Sequence, residues 1–522
     1  MSFKLTYATM YDPPPELHTN FEAAVERVRA KLGTRHTLYV DGKERPAERY
    51  FRKENPADTA EVLGEFPAAS AQDARDAMQA AATAWHAWRR TPHAQRAALL
   101  KRVARLIEER VYDIAAALTL EVGKNRMEAL AEVQEAADFF TLYTEDFERS
   151  GAFDRPLPDD PMSTHRSHNR SVLKPYGVWV VIAPFNFPLA LAAGPTAAAL
   201  ITGNTVVLKG ATATPWAGRL LADCIRDAGL PPGVFNYLSG RGDEVGGTLI
   251  SHPLTAGATF TGSHEVGMRI ATTLQAPPVP RPCIAEMGGK NACIVTAEAD
   301  LERAADGILR SGFGMGGQKC SALSRLYVHR DVAASLLGKL REKIAGIRIG
   351  DPTRREHWLG PVTTKSAYEN YARYVGQLRS GGAEIVSGGE QLRSGPLARG
   401  FFVTPTVAEA PLAHPLWNEE MFLPIVMVHR VASNDDAMAL MNRSALGLTA
   451  GFYGSAREVS WFQENAEAGV IYANRPQGAT TGAWPGYQAF GGWKGSGNTG
   501  KAIGSFYYLP QYMREQSQTV VE

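Results

Sequence analysis

Gly177-Val178-Trp179-Val180-Val181-Ile182-Ala183 is the stretch that decides the fold. It is continuously apolar, rich in β-branched residues and too short for a helix, so it reads as a strand buried on both faces. Three more runs follow: Thr205-Val206-Val207-Leu208-Lys209, Phe235-Asn236-Tyr237-Leu238 and Ala258-Thr259-Phe260-Thr261. Between them, residues 189–202, 215–228 and 242–250 carry helical spacing. Strands alternating with helices predict a parallel sheet covered on both faces, an α/β fold. The region from Val178 to Ile201 is also the most membrane-like. Pro184, Asn186, Pro188 and Pro195 interrupt it, whereas a spanning helix needs about 20 nearly unbroken apolar residues. It reads as a core strand followed by a core helix.

Outward from that stretch, residues 69–147 are Ala-rich and helical, with segments at 71–88, 94–111 and 126–147. Residues 154–170 are polar and proline-bearing, an exposed connection or an arm. A second alternation starts at Ala292: a strand at 293–295, a helix at 301–313, a strand at 324–328, a helix at 332–347, and further units to about 473. The last segment, 501–522, is rich in Tyr and polar residues. It reads either as a tail packing on another subunit or as a partly ordered terminus.

The 522 residues allow two to four domains. With 55 Lys+Arg against 54 Asp+Glu, the balance of +1 removes the basic excess on which nucleic-acid binding would rest. The four cysteines form no C-x-x-C pair, so no zinc knuckle or dithiol motif is expected, and no metal site. So sparse a set fits a reducing cytosol. The start, Met1-Ser2-Phe3-Lys4-Leu5, lacks a basic segment leading into an apolar signal core. A cytoplasmic protein follows, with no nucleic-acid or membrane partner.

Cys320 carries the most chemistry. It lies in the polar, Gly-rich Gly316-Gly317-Gln318-Lys319-Cys320-Ser321-Ala322, whereas Cys224, Cys283 and Cys293 sit among apolar neighbours that suit core packing. A thiol ionising near pH 8.5 needs positive potential to react, from Lys319 or a bound cationic cofactor. Glu286, between an apolar strand and a Gly-Gly turn, reads as a half-buried general base or as a partner of Lys290. Asn186, at the end of the first strand, either caps the next helix or turns inward to donate to an oxyanion. Gly262 and Ser263 open a helix after a strand, where free amides favour a pyrophosphate. Lys209, at a strand end, reads either as an ammonium near a ribose or phosphate or as a merely solvated lysine.

Together, Pro184-Phe185-Asn186-Phe187-Pro188, Phe260-Thr261-Gly262-Ser263, Glu286-Met287-Gly288-Gly289-Lys290-Asn291, Gly317-Gln318-Lys319-Cys320, Glu420-Met421-Phe422-Leu423-Pro424 and Phe490-Gly491-Gly492-Trp493-Lys494-Gly495-Ser496-Gly497 resemble the aldehyde dehydrogenase superfamily. The resemblance implies Cys320 as nucleophile, Glu286 as base and Asn186 as oxyanion donor. It implies that Lys209 and Glu420 hold ribose hydroxyls, Ser263 the pyrophosphate and Phe422 the nicotinamide end, with Ala183, Pro184 and Gly262 along the same cofactor. Ser321 after the nucleophile, and Thr481-Gly482-Ala483 ahead of Gln488-Ala489-Phe490, are similar to the 1-pyrroline-5-carboxylate dehydrogenase branch. That branch oxidises L-glutamate γ-semialdehyde, in proline catabolism. By the same resemblance Ser321, Gly482 and Ala483 hold the substrate's α-carboxylate, and Phe187 and Phe490 flank its aliphatic part. The resemblance implies NAD as the cofactor; Gly210-Ala211-Thr212 follows Lys209 without the glutamate that would repel a 2′-phosphate, which admits NADP. The chain also departs from the branch at Pro476–Thr480, Trp484-Pro485 and Ala489.

The implied architecture is a cofactor domain with an open parallel sheet (1–153 and 174–286), a catalytic α/β domain (287–473), an oligomerisation arm and tail (154–173 and 498–522) and a substrate loop with its return segment (474–497). The arm implies a homodimer or higher homo-oligomer. Three alternatives remain open at this level: the same reaction on another aldehyde, transfer of the acyl group to a thiol acceptor, and a non-catalytic dinucleotide-binding protein.

Overall fold

The computed structural model describes residues 4–11, 13–161 and 164–522. Met1, Ser2 and Phe3 of the N-terminal stretch, and Met162 and Ser163 of the expected arm, lie outside the described residues.

The valine-rich run forms the strand Val178–Ile182 in a seven-stranded sheet. It pairs in parallel with Thr205–Lys209 on one side and Thr255–Thr261 on the other; Phe235–Leu238 and Cys283–Glu286 extend those two flanks. The chain therefore winds outward in one direction and then returns to wind in the other. That reversal is the topological switch point at which open parallel sheets bind ligands, beyond the carboxyl ends of their strands. Leu38–Val40 and Lys43–Arg45 complete the sheet in antiparallel fashion.

A second seven-stranded sheet is ordered Glu384–Ser387, Thr406–Glu409, Ile425–Val431, Leu323–His329, Asn291–Val295, Thr449–Tyr453, Val470–Ala473. All its pairings are parallel except that of the first strand. The link Glu286–Asn291 carries the chain from the carboxyl edge of the first sheet to the amino edge of the second. The active cleft lies along this link.

Helix Ala190–Ile201 follows the first strand, as the sequence predicts, and is buried along nearly its whole length. Leu200, Ile201, Val180 and Val181 are fully enclosed, each contributing about 1.5–3 kcal/mol of burial energy. No described helix is long and apolar enough to cross a membrane. Helix Arg126–Arg149 packs against it and is capped by the Asn125 side chain, which accepts from the Met127 and Glu128 amides. Helix Pro15–Arg29 has no counterpart in the sequence-based assignment, and Val111–Val122 lies within the expected helical region 69–147 but between its named segments. The latter is buried from Ile114 to Val122, Thr119 and Glu121 included, so it shows little amphipathic stripe. Residues 242–250, expected as one helix, divide into a π-type turn, Gly242–Gly246, and a single helical turn, Gly247–Ser251.

The C-terminal segment is no dangling tail. Met513–Val521 forms a nine-residue antiparallel ladder with Ser167–Pro175, whose other edge carries Asp154–Leu157. Met513–Val521 is the edge strand of this three-stranded sheet, paired along one side within its own chain.

Candidate active site

Helix Leu301–Phe313 ends at a run of three left-handed residues, Met315 (φ 53°), Gly316 (φ 62°) and Gly317 (φ 66°). A Cβ at Gly317 would fall 2.3 Å from the Leu423 carbonyl oxygen, so glycine is required there. This sharp turn delivers Cys320 to the cleft just before strand Leu323–His329. Cys320 is partly exposed, whereas Cys224, Cys283 and Cys293 are buried.

The electrostatics of the thiol differ from the sequence-based expectation. Lys319 does not serve as its counter-cation, because Lys319 Nζ is engaged by the Glu128 carboxylate at 3.2 Å. Burial, followed by the negative charges of Glu420 and Glu286, pushes the Cys320 thiol up to about 12. Of the two expected sources of positive potential, only a cationic ligand remains.

Asn186 turns inward and caps nothing. Its Nδ2 donates to the Gln318 carbonyl at 2.9 Å, two residues before the nucleophile, leaving its second N–H for a ligand. The capping role falls instead to Glu132, whose carboxylate accepts from the Leu189 and Ala190 amides at 2.9 and 3.2 Å. Glu286 ends strand Cys283–Glu286 and does not pair with Lys290, which donates to Ser324 Oγ at 2.7 Å. Its Oε2 is buried with no partner among the described residues, and burial raises its carboxyl to about 8. A carboxyl held near neutrality can both take and return a proton.

Cys320 stands between two concavities, and among the described residues it is the one lining both. The first, a groove of about 1020 Å³, is walled by Pro184, Asn186, Gly262, Ser263, Glu420 and Phe422. Ser263 caps helix His264–Gln275, whose first-turn amides face this side. Gly288 lets the Glu420 carboxylate cross the groove floor, for a Cβ there would lie 1.9 Å from a Glu420 oxygen. Phe422 is left-handed (φ 56°) and meets Phe185 edge-on at 5.7 Å. Ala183 and Lys209 are not on this wall. They occupy adjacent strand ends, joined by the Ala183 N–H to Lys209 carbonyl bond at 3.1 Å. Lys209 is buried, its ammonium pushed down to about 8, with Thr212 Oγ1 at 3.4 Å as hydrogen-bond partner. Helix amides, a buried ammonium and a carboxylate across the floor fit an anionic dinucleotide bearing vicinal hydroxyls.

The second concavity, about 880 Å³, is lined by all five expected substrate residues: Phe187, Ser321, Gly482, Ala483 and Phe490. Gly482 has φ +115°, and a Cβ there would meet the Arg475 guanidinium at 2.7 Å. The Ser321 carbonyl accepts from Thr480 Oγ1 at 2.7 Å, tying the nucleophile turn to the substrate loop.

Several residues here received no role in the sequence reading. Asn291 fastens the nucleophile segment from behind, and Glu128, Glu135, Arg310, Trp484 and the N-terminal Tyr7 and Tyr11 line the substrate side. A signal was present for two of them. Glu128, Glu132, Glu135 and Asp138 recur at helical spacing in a segment read only for its apolar residues.

Residues 42–518 match the aldehyde dehydrogenase family. The chain is 38% identical over 510 residues to a 1-pyrroline-5-carboxylate dehydrogenase of Geobacillus thermodenitrificans (strain NG80-2), covering 96% of each chain. Among solved structures, a Thermus 1-pyrroline-5-carboxylate dehydrogenase with bound NAD superposes with a TM-score of 0.93 at 32% identity, over 100% of this chain and 99% of that one. Proline utilization A from Bdellovibrio bacteriovorus gives a TM-score of 0.90 at 34% identity, with 96% of this chain matching 51% of that larger one.

Proposed function

This chain belongs to the aldehyde dehydrogenase family, and on that premise we propose that it oxidises L-glutamate γ-semialdehyde, the open form of 1-pyrroline-5-carboxylate, to L-glutamate in proline catabolism. It is an NAD(P)-dependent enzyme. The observation that carries the reading is the single cysteine shared by the groove walled by Ser263, Glu420 and Phe422 and the pocket lined by Ser321, Gly482 and Ala483.

In the proposed reaction the Cys320 thiol gives its proton to solvent, the thiolate adds to the aldehyde carbon, and the free N–H of Asn186 Nδ2 stabilises the oxyanion that forms. Collapse of the oxyanion expels hydride from the aldehyde carbon and leaves a thioester on Cys320; the chemistry a bound dinucleotide would supply is acceptance of that hydride. Ser263, with the helix amides behind it, Glu420 and Phe422 would hold the dinucleotide beside Cys320, with Lys209 buried at the neighbouring strand end. Glu286 takes a proton from water, the hydroxide attacks the thioester carbonyl, and the thiolate leaves with release of the acid. A carboxylate placed to serve water favours hydrolysis over acyl transfer. Ser321 Oγ and the amides of the Gly482 turn hold the α-carboxylate, and Phe187 and Phe490 sandwich the methylene chain.

The reading divides the chain as its sequence suggests: residues 1–153 and 174–286 bind the cofactor, 287–473 carry the nucleophile, 474–497 form the substrate loop, and 154–173 with 498–522 form the arm. We place the protein in a reducing cytosol as a homo-oligomer joined through that arm, whose three-stranded sheet exposes Leu157, Val520 and Val521. Turnover of an aldehyde panel, followed as NAD(P)H formation, tests the assignment. A kcat/KM for the glutamate semialdehyde no higher than for simple aliphatic aldehydes would sink it, and Cys320→Ala should remove all turnover.

A further inference from the structure

Residues 476–480, where the chain departs from its branch, form a loop whose base is closed by one side chain. Arg475 Nη2 donates to the Gly482 carbonyl at 3.1 Å. Along the loop, Arg310 donates to the Pro476 carbonyl at 3.1 Å, the Ala479 amide to the Gly307 carbonyl at 3.0 Å and the Thr480 amide to Ser311 Oγ at 3.0 Å. Arg475 is itself held from the second sheet. The Tyr453 hydroxyl donates to its carbonyl at 2.6 Å, and its guanidinium lies 4.9 Å from the centre of the Tyr472 ring. Clasp and turn are fitted to each other, because only a residue without Cβ lets the guanidinium come this close to position 482.

The bond between Arg475 and Gly482 decides which way the Gly482–Ala483 peptide faces. In a trans peptide, as here, the carbonyl and the following N–H point in opposite directions. With the Gly482 carbonyl turned onto Arg475, the Ala483 N–H points away from it. Gly482 and Ala483 line the substrate pocket and Arg475 does not, so that N–H is directed toward the pocket. It donates to no other group among the described residues. The cation also strengthens this donor, because hydrogen bonds in series polarise one another. Arg475 meets no carboxylate among the described residues, and its Nη1 is buried there without a partner. A partly buried charge is screened much less than a hydrated one, and this one stands behind an amide that faces the pocket.

We propose that Arg475 is a positioning residue for substrate selection: by clasping the Gly482 carbonyl it presents a polarised Ala483 N–H to the carboxylate of the substrate, and so favours carboxylate-bearing aldehydes over neutral ones. It acts through the turn and touches neither substrate nor cofactor. The inference rests on the reading that this turn receives the α-carboxylate. It also gives the departure at 476–480 a physical sense. A longer loop has more conformational freedom to lose, and a charge-assisted bond across its base keeps the turn in one orientation.

The test compares glutarate semialdehyde with pentanal, the same chain with a methyl group in place of the carboxylate, in the full-length enzyme and its Arg475→Gln and Arg475→Lys variants. The parent should favour the carboxylate-bearing aldehyde in kcat/KM. Arg475→Gln should cut that preference about tenfold, through KM for glutarate semialdehyde, with kcat/KM for pentanal changed by less than about twofold. Arg475→Lys should cut it by about threefold, since one ammonium replaces a planar fork, and this milder change keeps the test decisive if Arg475→Gln folds poorly. Calorimetric titration with glutarate should rank the three proteins in the same order without turnover. A parent indifferent to the carboxylate defeats the substrate reading. A selective parent whose preference survives in both variants overturns the role of Arg475, and so does a variant that loses the two aldehydes equally, the mark of a merely structural prop.

Discussion

The side-chain Nδ2 of Asn291 donates to the backbone carbonyl of Cys320 at 2.7 Å. The same group reaches the Ala322 carbonyl at 2.9 Å, and its Oδ1 accepts from the Thr449 amide at 3.0 Å. Asn291 is the first residue of strand Asn291–Val295, so the nucleophile turn hangs from the edge of the second sheet through one amide. Asn291→Ala leaves three buried backbone groups unsatisfied. It should cost about 2–4 kcal/mol of stability and lower kcat more than tenfold as the sulfur loses its position. Thermal unfolding together with steady-state kinetics checks both; an unchanged kcat in a folded variant would contradict this placement of the turn.

Asn186 is assigned the oxyanion. Asn186→Ala should reduce kcat by about 10²–10³-fold, the cost of one oxyanion donor, with dinucleotide affinity altered much less. Asn186→Asp should be at least as damaging, because it sets a negative charge where a donor is needed. Rapid-mixing kinetics of the first turnover will show whether the loss falls on the addition step.

The pH dependence follows from Glu286. Its carboxyl is raised to about 8, so the base form accumulates as pH rises and deacylation should climb with a midpoint near pH 8. For stability the sign is opposite. The fold holds this proton more tightly than the unfolded chain does, so ionisation carries a penalty that is absent below pH 4.5, grows between pH 4.5 and 8, and is complete above. Glu286→Gln should therefore lose thioester hydrolysis yet gain stability over the parent with rising pH, by about 4–5 kcal/mol at about pH 8.5. Equal unfolding profiles for the two proteins from about pH 5 to 8.5 would exclude a buried, titrating Glu286.

With the thiol raised to about 12 and Lys319 engaged by Glu128, Cys320 should be a sluggish nucleophile in the ligand-free protein. Iodoacetamide at about pH 7.5 should label it more slowly than a free cysteine. Adding NAD, whose nicotinamide is cationic, should accelerate labelling about tenfold or more, read by mass spectrometry of the Cys320 peptide.

Lys124 and Glu132 form an ion pair whose side chains are both fully enclosed, and Lys124 also lies 3.6 Å from the Phe187 ring centre. Lys124→Met would strand a buried carboxylate that caps helix Ala190–Ile201. The expected loss is about 3–5 kcal/mol, far more than any exposed pair on this surface would cost. Denaturant unfolding measures it.

The sequence alone was enough for the α/β class, the alternation of strands and helices, and the segments that carry Cys320, Glu286 and Asn186. Those signals are local: a β-branched run such as Val178–Ile182 specifies its strand, and a Gly-rich turn marks an exposed thiol, wherever each lies in space. Partnership was not legible. Asn186 as a helix cap and Asn186 as an inward donor have the same sequence, and only the packing of helix Arg126–Arg149, which brings Glu132 to the Leu189 amide, frees Asn186 to turn inward. Lys319 stands next to Cys320 in the chain yet spends its charge on Glu128, 191 positions away. Tyr7 and Glu135 meet across 128 positions. Charge pairing depends on distance through space, which the chain order does not encode, and so the tertiary structure decided which ionisable groups of this pocket were already neutralised and which were left for a ligand.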